Sequence, residues 1–166
     1  MKGTEMKEFK GADMIVNLNL VPTECEAAET VKIKRAFVAD KEQILQFIRD
    51  NFHTGWVNEA ECALSQCPST CFIATEKGKV LGFACYDTSA KGYFGPIGIS
   101  KEARGKNVGT ALMLRTLHSM KEAGYVYAII GWVKDAEQFY RKTIGAEFVP
   151  NGEPEKSAYS NMISMD

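Results

Sequence analysis

Ile99-Ser100-Lys101-Glu102-Ala103-Arg104-Gly105-Lys106-Asn107-Val108-Gly109-Thr110-Ala111 is the stretch on which the fold turns. Its first residue closes an apolar run, Tyr93-Phe94-Gly95-Pro96-Ile97-Gly98-Ile99, that reads as a strand. A proline and glycines disturb that run, which predicts a bulge or break in its ladder. A basic, glycine-bearing connection follows. Then Val108, Ala111, Leu112, Leu117 and Met120 set out a long helix ending near Gly124, a good residue just past a helix end. A helix N-terminus offers unpaired N–H groups and about half a positive charge. Glycine there lets an anion approach the backbone closely, and Arg104 and Lys106 add side-chain charge. The physical reading is a phosphate or pyrophosphate cradle. A glycine-bearing loop before a surface helix, with solvated basic residues, accounts for the pattern equally well. The loop lacks the Gly-Lys-Ser/Thr ending of a P-loop, and no G-x-G-x-x-G follows a first strand.

Outward from this segment, Tyr125 to Val133 is apolar enough for a buried strand. A strand on each side of a helix implies a parallel crossover pair. Asp135 with Gln138 has the spacing of a capping box, opening a helix through Tyr140 that ends near Gly145. Ala146 to Val149 starts a further strand, Asn151 to Pro154 is a turn, and Tyr159 to Met165 is expected as an edge strand. Upstream, Cys71–Thr75 and Val80–Tyr86 flank Glu76-Lys77-Gly78-Lys79 as a hairpin, and Asp87 to Gly92 is a polar loop. Ile44, Ile48 and Phe52 predict an amphipathic helix to about Phe52, with Asp40 and Gln43 as its capping box. Asn58 with Glu61 repeats that pattern for a second helix, stopped by Pro68. Val31 to Val38 reads as a half-buried strand, Pro22-Thr23-Glu24 as a helix start, Met14 to Leu20 as a short strand and residues 1–12 as a loose arm.

The chain has 166 residues, which at roughly 100–200 residues per domain is one domain, 1–166. Forty-five per cent hydrophobic and 25% charged residues exclude a wholly disordered chain. Twenty basic against 21 acidic residues leave a net charge of −1, which disfavours a nucleic-acid or membrane-surface partner. Tyr125–Val133, the longest apolar stretch, falls far short of the roughly 18–20 residues that span a bilayer. The opening Met1-Lys2-Gly3-Thr4-Glu5 leads into charge rather than an apolar signal region. Five cysteines cannot all pair, so free thiols and a cytoplasmic location are expected. The gaps between Cys62, Cys67 and Cys71 do not repeat a zinc knuckle, and no metal is expected.

Ile97-Gly98-Ile99 followed by Arg104-Gly105-Lys106-Asn107-Val108-Gly109-Thr110-Ala111 resembles motif A of the GNAT superfamily of N-acetyltransferases, a strand, then Arg/Gln-x-x-Gly-x-Gly/Ala, then a long helix. Ala136-Glu137-Gln138-Phe139-Tyr140-Arg141-Lys142 with Gly145 resembles its motif B. The resemblance runs from about 31 to 149 in the family's element order and leaves 1–30 as an extension outside the common core. Asn107 stands where motif A has its first glycine, and asparagine tolerates a left-handed backbone better than most residues. Val133 stands where motif B often has an asparagine.

The resemblance implies an α/β (α+β) fold with a mixed, twisted sheet of six to seven strands and helices on both faces. It implies acetyl-coenzyme A as cosubstrate and an N-acetyltransferase acting on a small-molecule amine or peptide by direct attack in a ternary complex; homodimers are common among such folds. The pyrophosphate is expected on Arg104, Gly105, Lys106, Asn107, Val108, Gly109 and Thr110, and the pantetheine arm along Ile97, Gly98 and Ile99, with an oxyanion-binding N–H near Ile97 or Gly98. Tyr140 matches the family's frequent general acid. Asp87, Glu59, Glu61 and His53 are the candidate bases, and Trp56, Tyr86 and Tyr93 the expected lining of the acceptor pocket. A non-catalytic acyl-CoA-binding sensor or interaction module is the alternative.

Overall fold

The computed structural model describes residues 8–23 and 25–165. Seven strands form one mixed sheet: β1 (Ala12–Asn17), β2 (Lys32–Arg35), β3 (Cys71–Glu76), β4 (Lys79–Tyr86), β5 (Tyr93–Ile99), β6 (Tyr127–Val133) and β7 (Glu147–Phe148), in the spatial order β2-β3-β4-β5-β6-β1-β7. Helices α1 (Lys41–Asn51) and α2 (Thr54–Leu64) cover one face, burying Ile44, Leu45, Ile48 and Leu64 with Ile73 and Phe83 of the sheet. Helices α3 (Val108–Glu122) and α4 (Glu137–Ile144) cover the other, where Leu112, Leu117, Tyr140 and Ile144 pack with Phe72, Phe94 and Ile130. No helix among the described residues is long and apolar enough to cross a membrane.

Local chemistry explains the elements that sequence read correctly. The β3–β4 hairpin turns on Lys77 and Gly78, both at positive φ (50° and 75°), with Glu76 opposite Lys79. Helix α4 ends at Gly145 in the left-handed region (φ 68°), as a glycine past a helix end allows. β5 and β6 are parallel, joined by α3.

Other expectations are corrected. Asp40 and Ala136 precede α1 and α4 with no side-chain cap, so neither expected capping box forms. Helix α2 starts four residues before Asn58, because the His53 imidazole caps it, Nδ1 accepting from the Gly55 N–H at 3.0 Å. It ends at Leu64, ahead of Pro68. No helix follows Pro22: residues 25–31 run as coil and a turn, and Glu24 lies outside the described residues. β2 is shorter than expected, giving way to a 3₁₀ turn at Val38–Asp40. Tyr159 to Met165 is not a strand; Ala158–Asn161 is a 3₁₀ turn lying against the sheet. β1, from the segment expected outside the common core, sits inside the sheet, antiparallel to both β6 and β7.

Candidate active site

The connection from β5 to α3 folds as its composition suggests. Lys101–Ala103 make a 3₁₀ turn, and Gly105 (φ 83°) and Asn107 (φ 60°, ψ 22°) take left-handed conformations before α3 begins at Val108. Asn107 thus serves where a glycine would, its side-chain amide donating to the Glu26 carbonyl at 3.3 Å. Buried Ala103 and Val108 anchor the two ends of the loop. The first-turn amides of Val108, Gly109 and Thr110 have no carbonyl one turn back to receive them. A side chain at Gly105 would meet nothing within 4 Å, and one at Gly109 only the Ile99 side chain, at 3.5 Å. Packing demands a glycine at neither place through contact; the left-handed backbone accounts for Gly105, and at Gly109 a cradle kept clear for an anion fits. The guanidinium of Arg104 is exposed and has no partner among the described residues. Lys106 instead pairs with Glu76 at 2.9 Å. Glu76 also accepts the Thr30 hydroxyl, and these two contacts hold its carboxyl below the usual range.

At its other end, β5 opens a cleft. It pairs with β6 only at Tyr93–Ile129 and Phe94–Ile130, then diverges, while Ile97, Gly98 and Ile99 stay paired with β4. The edge of β5 turned toward the gap is free of a strand partner. Gly98 is required here: a Cβ would stand 2.7 Å from the Phe52 ring and 2.9 Å from Phe83. The gap is a cavity of about 610 Å³, with Gly95, Pro96 and Ile97 on one wall and Ile130 to Ala136 on the other. Tyr140 reaches it from α4, and Trp56 and Glu59 from α2, where they share a face one turn apart.

Tyr140 is 7% exposed, and its hydroxyl has no hydrogen-bond partner among the described residues. Burial pushes its phenol up to about 12, so it is protonated at any ordinary pH. Of the four candidate bases, the structure brings only Glu59 into the cavity. Burial raises its carboxyl, opposed by the hydroxyl of Ser89, which donates to it. The others are committed elsewhere. Asp87 accepts from the Gly92 N–H (2.7 Å) and the Tyr125 hydroxyl (2.6 Å); Glu61 is exposed and paired with Lys41 (2.9 Å); His53 is a helix cap.

Among the expected pocket aromatics, Trp56 lines the cavity. Tyr86 does not: it is 4% exposed, belongs to the core on the α3 face, and its hydroxyl meets Ser119 at 2.9 Å. Tyr93 stands behind the wall, its hydroxyl donating to Asp13 at 2.7 Å and its ring 6.1 Å from that of Tyr159. Sequence reasoning missed Asp13, Trp132 and Tyr159. Between the pairs Ala12–Val133 and Met14–Ile130, Asp13 alone opposes Gly131 and Trp132, a bulge that puts Trp132 at φ 48°. The Asp13 carboxylate accepts the Trp132 N–H at 2.9 Å, and the indole donates to the Lys10 carbonyl at 2.7 Å. The one sequence signal was a lone acid, Asp13, at the head of an apolar strand. All five cysteines are free thiols, and no group of His, Cys, Asp and Glu among the described residues could hold a metal.

Residues 34–146 match the acetyltransferase (GNAT) family. A search of curated proteins found no match. Among solved structures, the chain is similar to the GCN5-related glucosamine N-acetyltransferase region of a fungal multi-domain GH3 β-N-acetylglucosaminidase (TM-score 0.69, 15% identity, 89% of this chain, 21% of that one). It is also similar to GCN5-related N-acetyltransferases from Sphaerobacter thermophilus (0.66, 18% identity, 83% of this chain, 48% of that one) and Kribbella flavida (0.61, 16%, 84%, 55%). The chain thus spans between a fifth and little over half the length of these proteins, and at such identities the likeness is one of fold. With the family model matching residues 34–146, which hold both motifs, and the fold like that of these acetyltransferases, the chain belongs to the GNAT acetyltransferase family.

Proposed function

We propose that the protein transfers an acetyl group from acetyl-coenzyme A to a small primary amine by direct attack. The observation that carries this reading is the cleft between β5 and β6. One strand runs from the anion cradle to a cavity that holds both a half-buried carboxylate and an unpartnered phenol. Acetyl-coenzyme A supplies an activated acetyl thioester. Gly105 to Thr110 would carry its pyrophosphate on backbone amides, with Arg104 adding charge. The free edge of β5 at Ile97–Ile99 would hold the pantetheine arm, an N–H there facing the carbonyl oxygen as charge develops on it. Glu59 takes the proton from the attacking ammonium, and its raised carboxyl suits it to that task. As the new N–C bond forms and the C–S bond breaks, Tyr140 gives its proton to the leaving sulfur. A sensor that only bound the thioester would have no use for a half-buried carboxylate beside it.

The acceptor end suits an amine with a single positive charge and an apolar body. Glu59 lines the cavity together with the rings of Trp56, Trp132 and Tyr159, and the second acid on its lining, Asp135, is accompanied by Lys134 and Lys10, which would repel a polycation.

Thermal melting with acetyl-coenzyme A tests the donor half. At 100 times its dissociation constant a ligand stabilises by about 2.7 kcal/mol, a shift of roughly 5–10 °C for a domain of this size. Gly109→Asp should abolish the shift, because a carboxylate then fills the cradle, while leaving the fold intact, since an acid is tolerated in a helix's first turn. A flat curve for the wild type refutes the reading, and a normal shift in the variant means the cradle lies elsewhere.

A further inference from the structure

Gly131 stands in the middle of β6, between Ile130 and Trp132, where an apolar strand would ordinarily carry a side chain. Nothing in its backbone asks for glycine, as it is not among the residues with positive φ. The reason lies 28 residues downstream. A Cβ at 131 would clash with the Tyr159 hydroxyl and stand 2.9 Å from Cζ of its ring. Gly131 is therefore a seat, and Tyr159 occupies it. The ring is held by its neighbours: its centroid is 5.2 Å from that of Trp132 and 6.1 Å from that of Tyr93. The turn carrying it is capped by Ser157, whose hydroxyl oxygen accepts the Tyr159 N–H at 3.3 Å. The approach to that turn is fastened to β1, with the Asp13 N–H on the Gly152 carbonyl at 2.8 Å and the Val149 N–H on the Asp13 carbonyl at 2.9 Å.

We propose that Tyr159, seated on Gly131, is the specificity-determining wall of the acceptor pocket, so that the segment after β7 decides which amines reach Glu59. This rests on the amine-acetylating reading above. Ring packing supplies the physical means. The rings of Tyr159 and Trp132 pack together on the cavity lining, which Trp56 of α2 shares, so an acceptor's apolar body would lie against rings while its ammonium meets the carboxylate. Removing Tyr159 takes away one of those rings and enlarges the room. Adding a methyl group at 131 does the same by pushing the ring off its seat.

The test uses Tyr159→Ala, Tyr159→Phe, Gly131→Ala and the Gly131→Ala/Tyr159→Ala pair. The probes are ethylamine, butylamine, phenethylamine and tryptamine, read by steady-state turnover and by quenching of the two tryptophans, Trp56 and Trp132, which both line the cavity. Tyr159→Ala should raise KM for the best wild-type amine about tenfold, the value of one lost ring contact. The preference should move toward bulkier amines, while the dissociation constant of acetyl-coenzyme A stays within about twofold. Gly131→Ala should reproduce that change and add nothing in the Tyr159→Ala background, because both act through one displaced ring. Tyr159→Phe keeps the ring and should keep the wild-type preference. Unchanged KM values and amine preference in Tyr159→Ala overturn the proposal, as do effects of Gly131→Ala and Tyr159→Ala that multiply in the pair. Should Gly131→Ala fail to fold, the contrast between Tyr159→Ala and Tyr159→Phe decides alone. A wild type that neither turns over nor quenches with any amine refutes the acceptor reading itself, whereas wild-type turnover with unaltered variants refutes only the role of Tyr159.

Discussion

Replacing Tyr140 by phenylalanine removes one hydroxyl and leaves the ring in its packing, with the Phe139 ring centroid 5.4 Å away and Ile144 in the same cluster. The structure fixes what that deletion should cost. The hydroxyl has no partner among the described residues, so no hydrogen bond is lost from the resting protein. A buried, unpaired hydroxyl is itself a liability of about 1–3 kcal/mol, partly relieved here because it borders an open cavity. The variant should therefore melt no lower than the wild type, and up to a few degrees higher, at about 2–4 °C per kcal/mol. Affinity for acetyl-coenzyme A should move by no more than about one neutral hydrogen bond, 0.5–1.5 kcal/mol. Turnover is a different matter. The phenol, pushed up to about 12, stays protonated, has no hydrogen-bond partner among the described residues and lines the cavity beside β5. Its loss should lower kcat by roughly 10²–10⁴. The assay is release of coenzyme A thiol in the presence of amine, beside calorimetric binding of acetyl-coenzyme A. Retained turnover together with a lower melting temperature would refute the reasoning, because the hydroxyl would then be a structural group.

Two further substitutions probe the carboxylates. Burial raises Glu59, so the folded state favours its protonated form. Its ionisation therefore costs stability as pH rises through the folded value, and that cost is absent below the unfolded value. Glu59→Gln should thus melt higher than the wild type at pH 8, with the difference vanishing toward pH 4, while turnover falls about 10²-fold and its acid limb flattens; equal melting at both pH values together with an unchanged pH–rate profile would contradict the assignment. Asp13→Asn keeps the shape but gives the Trp132 N–H and the Tyr93 hydroxyl one acceptor oxygen instead of two. Leaving one buried donor unpaired should cost about 1–3 kcal/mol and lower the melting temperature by roughly 3–10 °C, and a change under about 1 °C would show that the network does not hold the cleft.

What sequence could disclose follows the range of the interactions involved. The Lys77-Gly78 turn, the Gly145 helix end and the Arg104–Thr110 loop are specified by backbone demands within a few residues. Asn107 was legible as a left-handed position for the same reason. The capping boxes at Asp40, Asn58 and Asp135 failed because the residue spacing is common, while the bond depends on backbone angles that neighbouring elements impose; His53 took the cap of α2 instead. Tyr140 was found through a motif, and Glu59 was one of four acids and bases with nothing local to rank them. Tertiary structure ranked them, by giving Asp87, Glu61 and His53 other partners. Asp13 and Tyr159 were out of reach because their roles are made across the sheet. Asp13 acts 119 residues away on Trp132, through a strand inserted between β6 and β7. Tyr159 was read as part of an edge strand because its tyrosine and apolar neighbours have strand composition. The clue to its true place, a glycine at 131 with no backbone need for it, gains meaning only once the two are seen together.

The measurement that bears most directly on the central claim is mass spectrometry of a reaction containing wild-type protein, acetyl-coenzyme A and a monocationic primary amine such as phenethylamine, run beside Tyr140→Phe. The expected result is an amine product heavier by one acetyl group, formed in step with free coenzyme A, no acetyl group retained on the protein, and a product yield in the variant lower by roughly 10²-fold or more. Tight binding of acetyl-coenzyme A with no acetylated amine from any member of the panel, or an acetylated protein side chain on the way to product, would contradict it.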